Sequence, residues 1–357
     1  MNVPAVPALP ADAEADHAAA HAALAEAVQH ASDEVQRAFV FLQRRIQIES
    51  LAHVDPVSAR PVDQLIIPAP RSFLTRTHEL RLQGAGAAFR HLDSRATMRR
   101  EGMIGHVVAH TTPLALHALF EGALPSGRET NAGMWRVTPT SWRPEANPFE
   151  HPPATAVEAL MAEAVDTAND ADRPAIVRAA WLTFTALSIH PFVDGNGRTA
   201  RALALGVSSE ALELGVDWGL AEQWSVARRA YVEMLQAGQR ASSYGGRQLD
   251  ASPFVAFSAE ASTVGARLCL CRVQTLDLEF ERLTDAGLSA QAALLMLSVR
   301  CARFVDPDDL DALGLDSSAA DRAVAELVDR SMIEWRQRPP SRTEIRRSAH
   351  GLAATHG

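Results

Sequence analysis

Residues 190–201 read His-Pro-Phe-Val-Asp-Gly-Asn-Gly-Arg-Thr-Ala-Arg. A histidine, a carboxylate, a glycine-rich turn and two arginines fall in one short stretch, and each has a use in phosphate chemistry. His190 has the intrinsic pKa of a general base near neutrality. Asp194 is a hard oxygen ligand, and proteins hold Mg²⁺ with one or two carboxylates plus substrate phosphates. Gly195 and Gly197 let the backbone approach a ligand closely. Asn196 opens a second helical pattern, and unpaired N–H groups at a helix start bind anions. Arg198 and Arg201, three apart, share one helix face, and guanidinium groups grip phosphate oxygens in a planar, bidentate way. Taken singly, each feature has a plainer reading as a helix cap, a turn or a solvated cation. Taken at one spacing, they imply an enzyme acting on a nucleotide.

Two helices must position this stretch. The run Ala175–Ile189 is apolar nearly all round, as a buried helix is. Pro174 suits its first turn. Pro191 pushes the preceding residue out of the helical region, which leaves His190 at the boundary between helix and loop.

The stretch resembles the motif of the Fic family, His-Pro-Phe-x-(Asp/Glu)-Gly-Asn-Gly-Arg-x-x-Arg, at every specified position. Weaker echoes extend the likeness over about residues 95–265: Leu116-His117 with Leu119, Gly133 to Arg136, Phe149 to Pro153 before Val157 to Met161, Ser225 to Tyr231, and Pro253 to Phe257. The resemblance implies an all-α fold, a Fic-type helical core with a β-hairpin flap. It also implies a protein adenylyltransferase, which transfers AMP from ATP to a Ser, Thr or Tyr hydroxyl of a target protein, or of itself, and releases pyrophosphate. On that likeness His190 is the base and Asp194 holds Mg²⁺. Gly195, Asn196 and Gly197 cradle the phosphates, and Asn196 also contacts the α-phosphate. Arg198 meets the β-phosphate and Arg201 the γ-phosphate. Asn147, Phe149 and His151 are candidates for the flap that pairs with an extended target segment. Thr183 stands where many relatives carry a histidine, at a position that is structural in the family.

Many Fic proteins carry an inhibitory pattern, (Ser/Thr)-x-x-x-Glu-(Gly/Asn), whose glutamate pairs with the second motif arginine. Thr97 to Gly102 fits it and makes Glu101 the inhibitory candidate, although the segment lies unusually close to Leu116-His117. Thr75 to Leu80 sits nearer the usual place but lacks the last residue.

The remainder bounds the reading. The chain has 357 residues, 47% of them hydrophobic, and a formal charge of −9, which argues against wholesale nucleic-acid coating. Cys269, Cys271 and Cys301 form no paired framework, which points to a reducing compartment. With no apolar run judged long enough to span a bilayer and no secretory signal, the cytoplasm is the expected location and no membrane partner is expected. Residues 1–16 read as a disordered tail. Residues 17–94 read as a helical region packed on the core, with one helical pattern from His17 to about Ala52 and a proline-rich loop at 54–70. Residues 283–348 resemble a winged helix: helices at 290–299, 307–313 and 317–330, the last capped at Ser317-Ser318, then strands at 332–336 and 342–346. Its wing holds Arg336, Arg338, Arg342, Arg346 and Arg347, which suits DNA contact. Asp321, Glu326 and Asp329 on the preceding helix would repel phosphate, so a packing or homodimer role takes precedence over DNA.

Two other functions compete. A Fic fold can transfer UMP, phosphate or phosphocholine instead, although Gly197 differs from the bulkier residue of the phosphorylating Doc type. Alternatively the protein is a DNA-binding regulator with a silent Fic domain.

Overall fold

A computed structural model of the chain describes residues 3–52, 76–122, 124, 131–139, 149–210, 212, 214–240, 249–302, 304–305, 310, 312–338 and 342–347. Its helices are α1 (Ala11–His30), α2 (Asp33–Ala52), α3 (Arg76–Arg100), α4 (Thr112–Glu121), α5 (Val157–Asn169), α6 (Ala175–Ile189), α7 (Asn196–Ser208), α8 (Leu220–Val226), α9 (Arg228–Arg240), α10 (Ser252–Asp285), α11 (Ala290–Ala302) and α12 (Ser317–Asp329). The strands are β1 (Phe304–Val305), β2 (Ile333–Arg338) and β3 (Arg342–Arg347), in the order β1-β3-β2 with antiparallel pairing. The described residues group into two compact units. One takes 3–22, 47–52 and those between 76 and 266; the other takes 23–46 and those from 267 onward.

The first unit is built around α6. Every residue from Ile176 to Ile189 is buried, including Trp181 and Phe184 at 0% exposure. Each such side chain contributes about 1.5–3 kcal/mol by leaving water. Helix α7 brings small residues, Ala200, Ala202, Ala204 and Gly206, into the same core. A Cβ at Gly206 would stand 2.7 Å from a Val108 methyl, so α7 packs closely only because no side chain is there. The Thr183 hydroxyl donates to the carbonyl of Ala179 at 2.9 Å and lies 3.3 Å from that of Ala200, which ties α6 to α7. It is structural, as the resemblance implies.

Residues 3–16 have a defined place, with α1 starting at Ala11, where composition suggested a disordered tail over 1–16. Val3, Val6 and Leu9 pack against the core, and the Trp181 indole N–H donates to the Pro4 carbonyl at 3.0 Å. A buried indole needs an acceptor, and the tail supplies it. The single helix expected from His17 to Ala52 is two. Ser32 breaks it, and its hydroxyl accepts from the Val35 N–H at 3.3 Å to start α2. The proline-rich 54–70 segment lies outside the described residues.

One helix, α10, is long and apolar enough by length and composition to cross a membrane, which corrects the expectation that no such run exists. Phe254, Val255, Cys269, Val273 and Leu276 on it are core residues, and 56% of its apolar window is buried inside the protein.

In the second unit, Leu294, Leu295, Leu297, Leu313 and Leu327 are buried, and β2 and β3 form a hairpin in which Trp335 faces Ile345 in register. β1 adds a short third strand that the sequence pattern did not suggest. The helix expected at 307–313 lies mostly outside the described residues. The cap of α12 is Asp316, not Ser317-Ser318: its Oδ1 accepts from the Ala319 N–H at 2.7 Å. Glu326 accepts from both the N–H and the hydroxyl of Ser289, at 3.0 and 2.6 Å. That acid of α12 therefore secures the start of α11.

Candidate active site

His190 caps the C-terminus of α6 in the left-handed conformation, φ 53° and ψ 62°. A non-glycine residue there is uncommon and persists when its surroundings hold it. Arg136 does much of that holding. Its Nε donates to the His190 carbonyl at 2.7 Å and its own N–H to the Pro191 carbonyl at 2.9 Å. Its Nη atoms reach the Thr138 and Pro152 carbonyls. One buried guanidinium thus joins three chain segments at the turn.

The His190 imidazole donates to the carbonyl of Leu187. Its pKa is lowered from 6.5 to about 3, by burial first and then by His151 and Arg136, against the opposing pull of Asp194 and the Leu187 carbonyl. The His151 ring lies 4.6 Å from that of His190, with its Nδ1 donating to the Ser188 carbonyl at 2.9 Å. Phe149 meets His151 edge-on at 5.2 Å. His151 thus flanks His190 with Phe149 behind it, on a stretch with no strand. Asn147 lies outside the described residues.

The loop after Phe192 is fixed by His117. Its Nε2–H donates to the Asp194 carbonyl at 3.1 Å, its Nδ1 accepts from the Gly133 N–H at 2.9 Å, and its ring stacks on Phe192 at 3.8 Å. Burial lowers its pKa to about 4, opposed by the bond to Asp194. The neutral form is the one that can both donate and accept. Asn196 has a different duty from the one the resemblance implied. Its side-chain amide accepts from the Phe192 N–H and donates to the Phe192 carbonyl, each at 2.9 Å. It staples the loop, and its second amide N–H and its backbone N–H remain as donors for a phosphate.

Gly195 caps α7 at φ 77°, and a Cβ there would stand 2.6 Å from Glu121 Oε1. Its N–H donates to Asp194 Oδ1 at 2.6 Å, which removes it from the cradle that the resemblance implied. The first backbone bond of α7 runs from the Thr199 N–H to the Gly195 carbonyl, so the N–H groups of Asn196, Gly197 and Arg198 form its first turn without carbonyl partners. The Asp194 carboxylate is 69% exposed, with Oδ2 4.0 Å from Arg198 Nη2. An exposed hard-oxygen donor beside an anion-binding turn fits Mg²⁺ that keeps waters and takes phosphate oxygens.

Glu121 was not singled out in the sequence, where it is one acid at the end of an apolar helix. It is fully buried, and its Oε1 lies 2.7 Å from Arg198 Nη2. Burial pushes its pKa up, Arg198 pulls it down, Asp194 raises it and Arg81 lowers it. Neither Glu121 oxygen has an aligned donor, and Arg198 Nη1 is buried without a partner. The pair therefore holds Arg198 by charge while a donor remains in reserve. Arg201 is buried as well. Its Nη2 donates to the Leu51 carbonyl at 3.3 Å, and neither its Nε nor the buried Tyr231 hydroxyl has a hydrogen-bond partner among the described residues. Glu101 does not pair with Arg201. It is exposed at the turn that ends α3, and what meets Arg201 instead is the last turn of α2.

Helices α6 and α7 thus bring His190, Asp194, first-turn N–H groups without carbonyl partners and two arginines together in one helical domain. Residues 111–207 match the family model for the Fic/DOC family. The chain carries a Fic/DOC-family domain. Its fold is similar to that of a Fic family protein from Desulfovibrio desulfuricans G20, at 20% identity over 98% of this chain and 99% of that one, TM-score 0.51. It is also similar to a Fic-1 segment from C. elegans, at 21% identity over 74% of each chain, TM-score 0.50. At these identities the likeness is one of fold. No curated protein matches the chain.

Proposed function

We propose that the protein is an adenylyltransferase that moves AMP from ATP to a hydroxyl side chain of a target protein or of itself. The observation that carries this reading is the placement of His190, at the end of α6 beside His151 and directly before a helix start whose first-turn N–H groups have no carbonyl partners. In this reading His190 takes the proton of the target hydroxyl as its oxygen attacks the α-phosphorus. The bond to the bridging α,β oxygen breaks and pyrophosphate leaves. The N–H groups of Asn196, Gly197 and Arg198, with the Arg198 guanidinium, hold the phosphate oxygens. Arg201 exchanges the Leu51 carbonyl for the terminal phosphate. Asp194 would hold Mg²⁺, which supplies charge neutralisation on the phosphates. This is catalysis by positioning and charge stabilisation. Phe149 and His151 stand where an extended target segment would reach the base.

The test is incubation of the purified protein with α-labelled ATP, Mg²⁺ and cell lysate, beside His190→Ala. Label on protein that requires His190 supports the reading. Label only from UTP, or only from the γ-position, reassigns the transferred group. The expectations of a cytoplasmic location and of a packing or homodimer role for the C-terminal unit are kept as parts of the proposal.

A further inference from the structure

Away from the phosphate loop, three chain segments bring two imidazoles, a carboxylate and a hydroxyl to one point. His17 and His21 are one turn apart on α1, so they share a face. Both point Nε2 at the same atom, Ser262 Oγ of α10, at 3.0 and 2.9 Å. The Ser262 hydroxyl donates to Asp217 Oδ2 at 2.6 Å. The ligand atoms of His17, His21 and Asp217 lie within 4.8 Å of one another. His21 Nε2 is 4.0 Å from Asp217 Oδ1.

The fold holds this arrangement in place. Asp217 is fully buried, its carbonyl accepts from the Gln47 amide at 2.7 Å, and its Oδ1 accepts from the Leu220 N–H at 3.2 Å. Just beyond it Gly219 crosses Gly265, where a Cβ on Gly219 would stand 2.3 Å from Gly265 backbone. That contact of two bare backbones sets Asp217 beside Ser262. His17 and His21 remain partly accessible, which leaves a path for an ion.

We propose that His17, His21 and Asp217 form a binding site for one transition-metal dication of the zinc class, which fastens helix α1 to the Fic-like unit. Two imidazoles and one carboxylate suit such an ion, whereas Mg²⁺ demands oxygen ligands. Metal–ligand bonds of about 2.0–2.2 Å put tetrahedral donors roughly 3.3–3.5 Å apart, so the three atoms close by about 1 Å or a little more. Three protein ligands leave a fourth position, which Ser262 Oγ or a water completes. The site is distinct from Asp194, and it does not depend on the proposed transfer activity.

The test uses the full chain, stripped with a chelator and titrated with Co²⁺. The expected result is one equivalent bound, with the intense visible absorption of a tetrahedral centre and no thiolate charge-transfer band. Zn²⁺ displaces it and Mg²⁺ does not. His17→Asn and His21→Asn, shown folded by circular dichroism, each weaken binding at least about tenfold, the scale of a lost ligand. Absence of tetrahedral absorption in the wild-type chain overturns the proposal whatever the variants do. So does absorption that both variants retain, or a thiolate band that Cys271→Ser removes.

Discussion

Replacing Gly195 with alanine probes the tightest point of the candidate site. Gly195 has φ 77°, a region that costs an alanine about 1–2 kcal/mol. The new methyl would also stand 2.6 Å from Glu121 Oε1 and 3.2 Å from His117 Cδ2. Neither neighbour can swing away freely: Glu121 is buried against Arg198, and His117 is bonded at both nitrogens. Overpacking of this kind costs about 1–3 kcal/mol. The sum is about 2–5 kcal/mol, read as a fall in the urea midpoint with an unchanged slope. Repeating the substitution in a Glu121→Ala background separates the two parts. The carboxylate collision is then gone, and the penalty drops to about 1–2 kcal/mol, the conformational part. An equal penalty in both backgrounds, or one below about 1 kcal/mol in the wild-type background, refutes the reasoning.

Other substitutions and pH changes have equally definite outcomes. Arg136→Lys keeps the charge but cannot serve the Pro152, Thr138 and His190 carbonyls together; a loss of about 1.5–3 kcal/mol in urea unfolding is expected, that of a charged hydrogen bond. Asn196→Ala frees both backbone groups of Phe192, so the 192–195 amides should exchange faster with deuterium while α5 is unaffected. His190 and His117 have pKa values lowered to about 3 and about 4 from 6.5. The unfolded chain therefore binds more protons below pH 6.5, and stability declines as pH falls from about 6.5 toward 4, by up to about 1.4 kcal/mol per unit for each group. Substituting His117→Asn should flatten that slope. For catalysis the same shift keeps His190 unprotonated, so the acid limb of kcat/KM should lie below the free imidazole value.

The motif at 190–201 was legible because its chemistry is local. The helix before it, its end at His190 and the helix start after Gly195 all follow from apolar pattern, proline and glycine; the left-handed turn of His190 does not, since a following proline favours extended backbone. Long-range partners were not legible. Nothing local to Glu121 signals that its carboxylate meets Arg198, and nothing local to Leu51 signals that its carbonyl meets Arg201. Backbone acceptors carry no residue code at all, so the Leu51 carbonyl is invisible in the sequence while the inhibitory pattern at 97–102 points to Glu101. Asn196 is a subtler case: an amide in a phosphate loop suits a ligand, yet its geometry closes on Phe192. Composition misjudged the first residues, since three apolar side chains among alanines and prolines suffice once Trp181 offers a donor. The break at Ser32 and the cap at Asp316 were each within reach of capping rules, the first overridden by a continuous apolar pattern and the second one residue from the serines chosen.

The central claim is that His190 directs AMP, not phosphate, onto a protein hydroxyl. The most direct measurement follows α-labelled and γ-labelled ATP in parallel, with wild type and His190→Ala. The account predicts α-label on protein, γ-label in pyrophosphate, and neither with His190→Ala. Stable γ-label on protein, or α-label that survives His190→Ala, contradicts it.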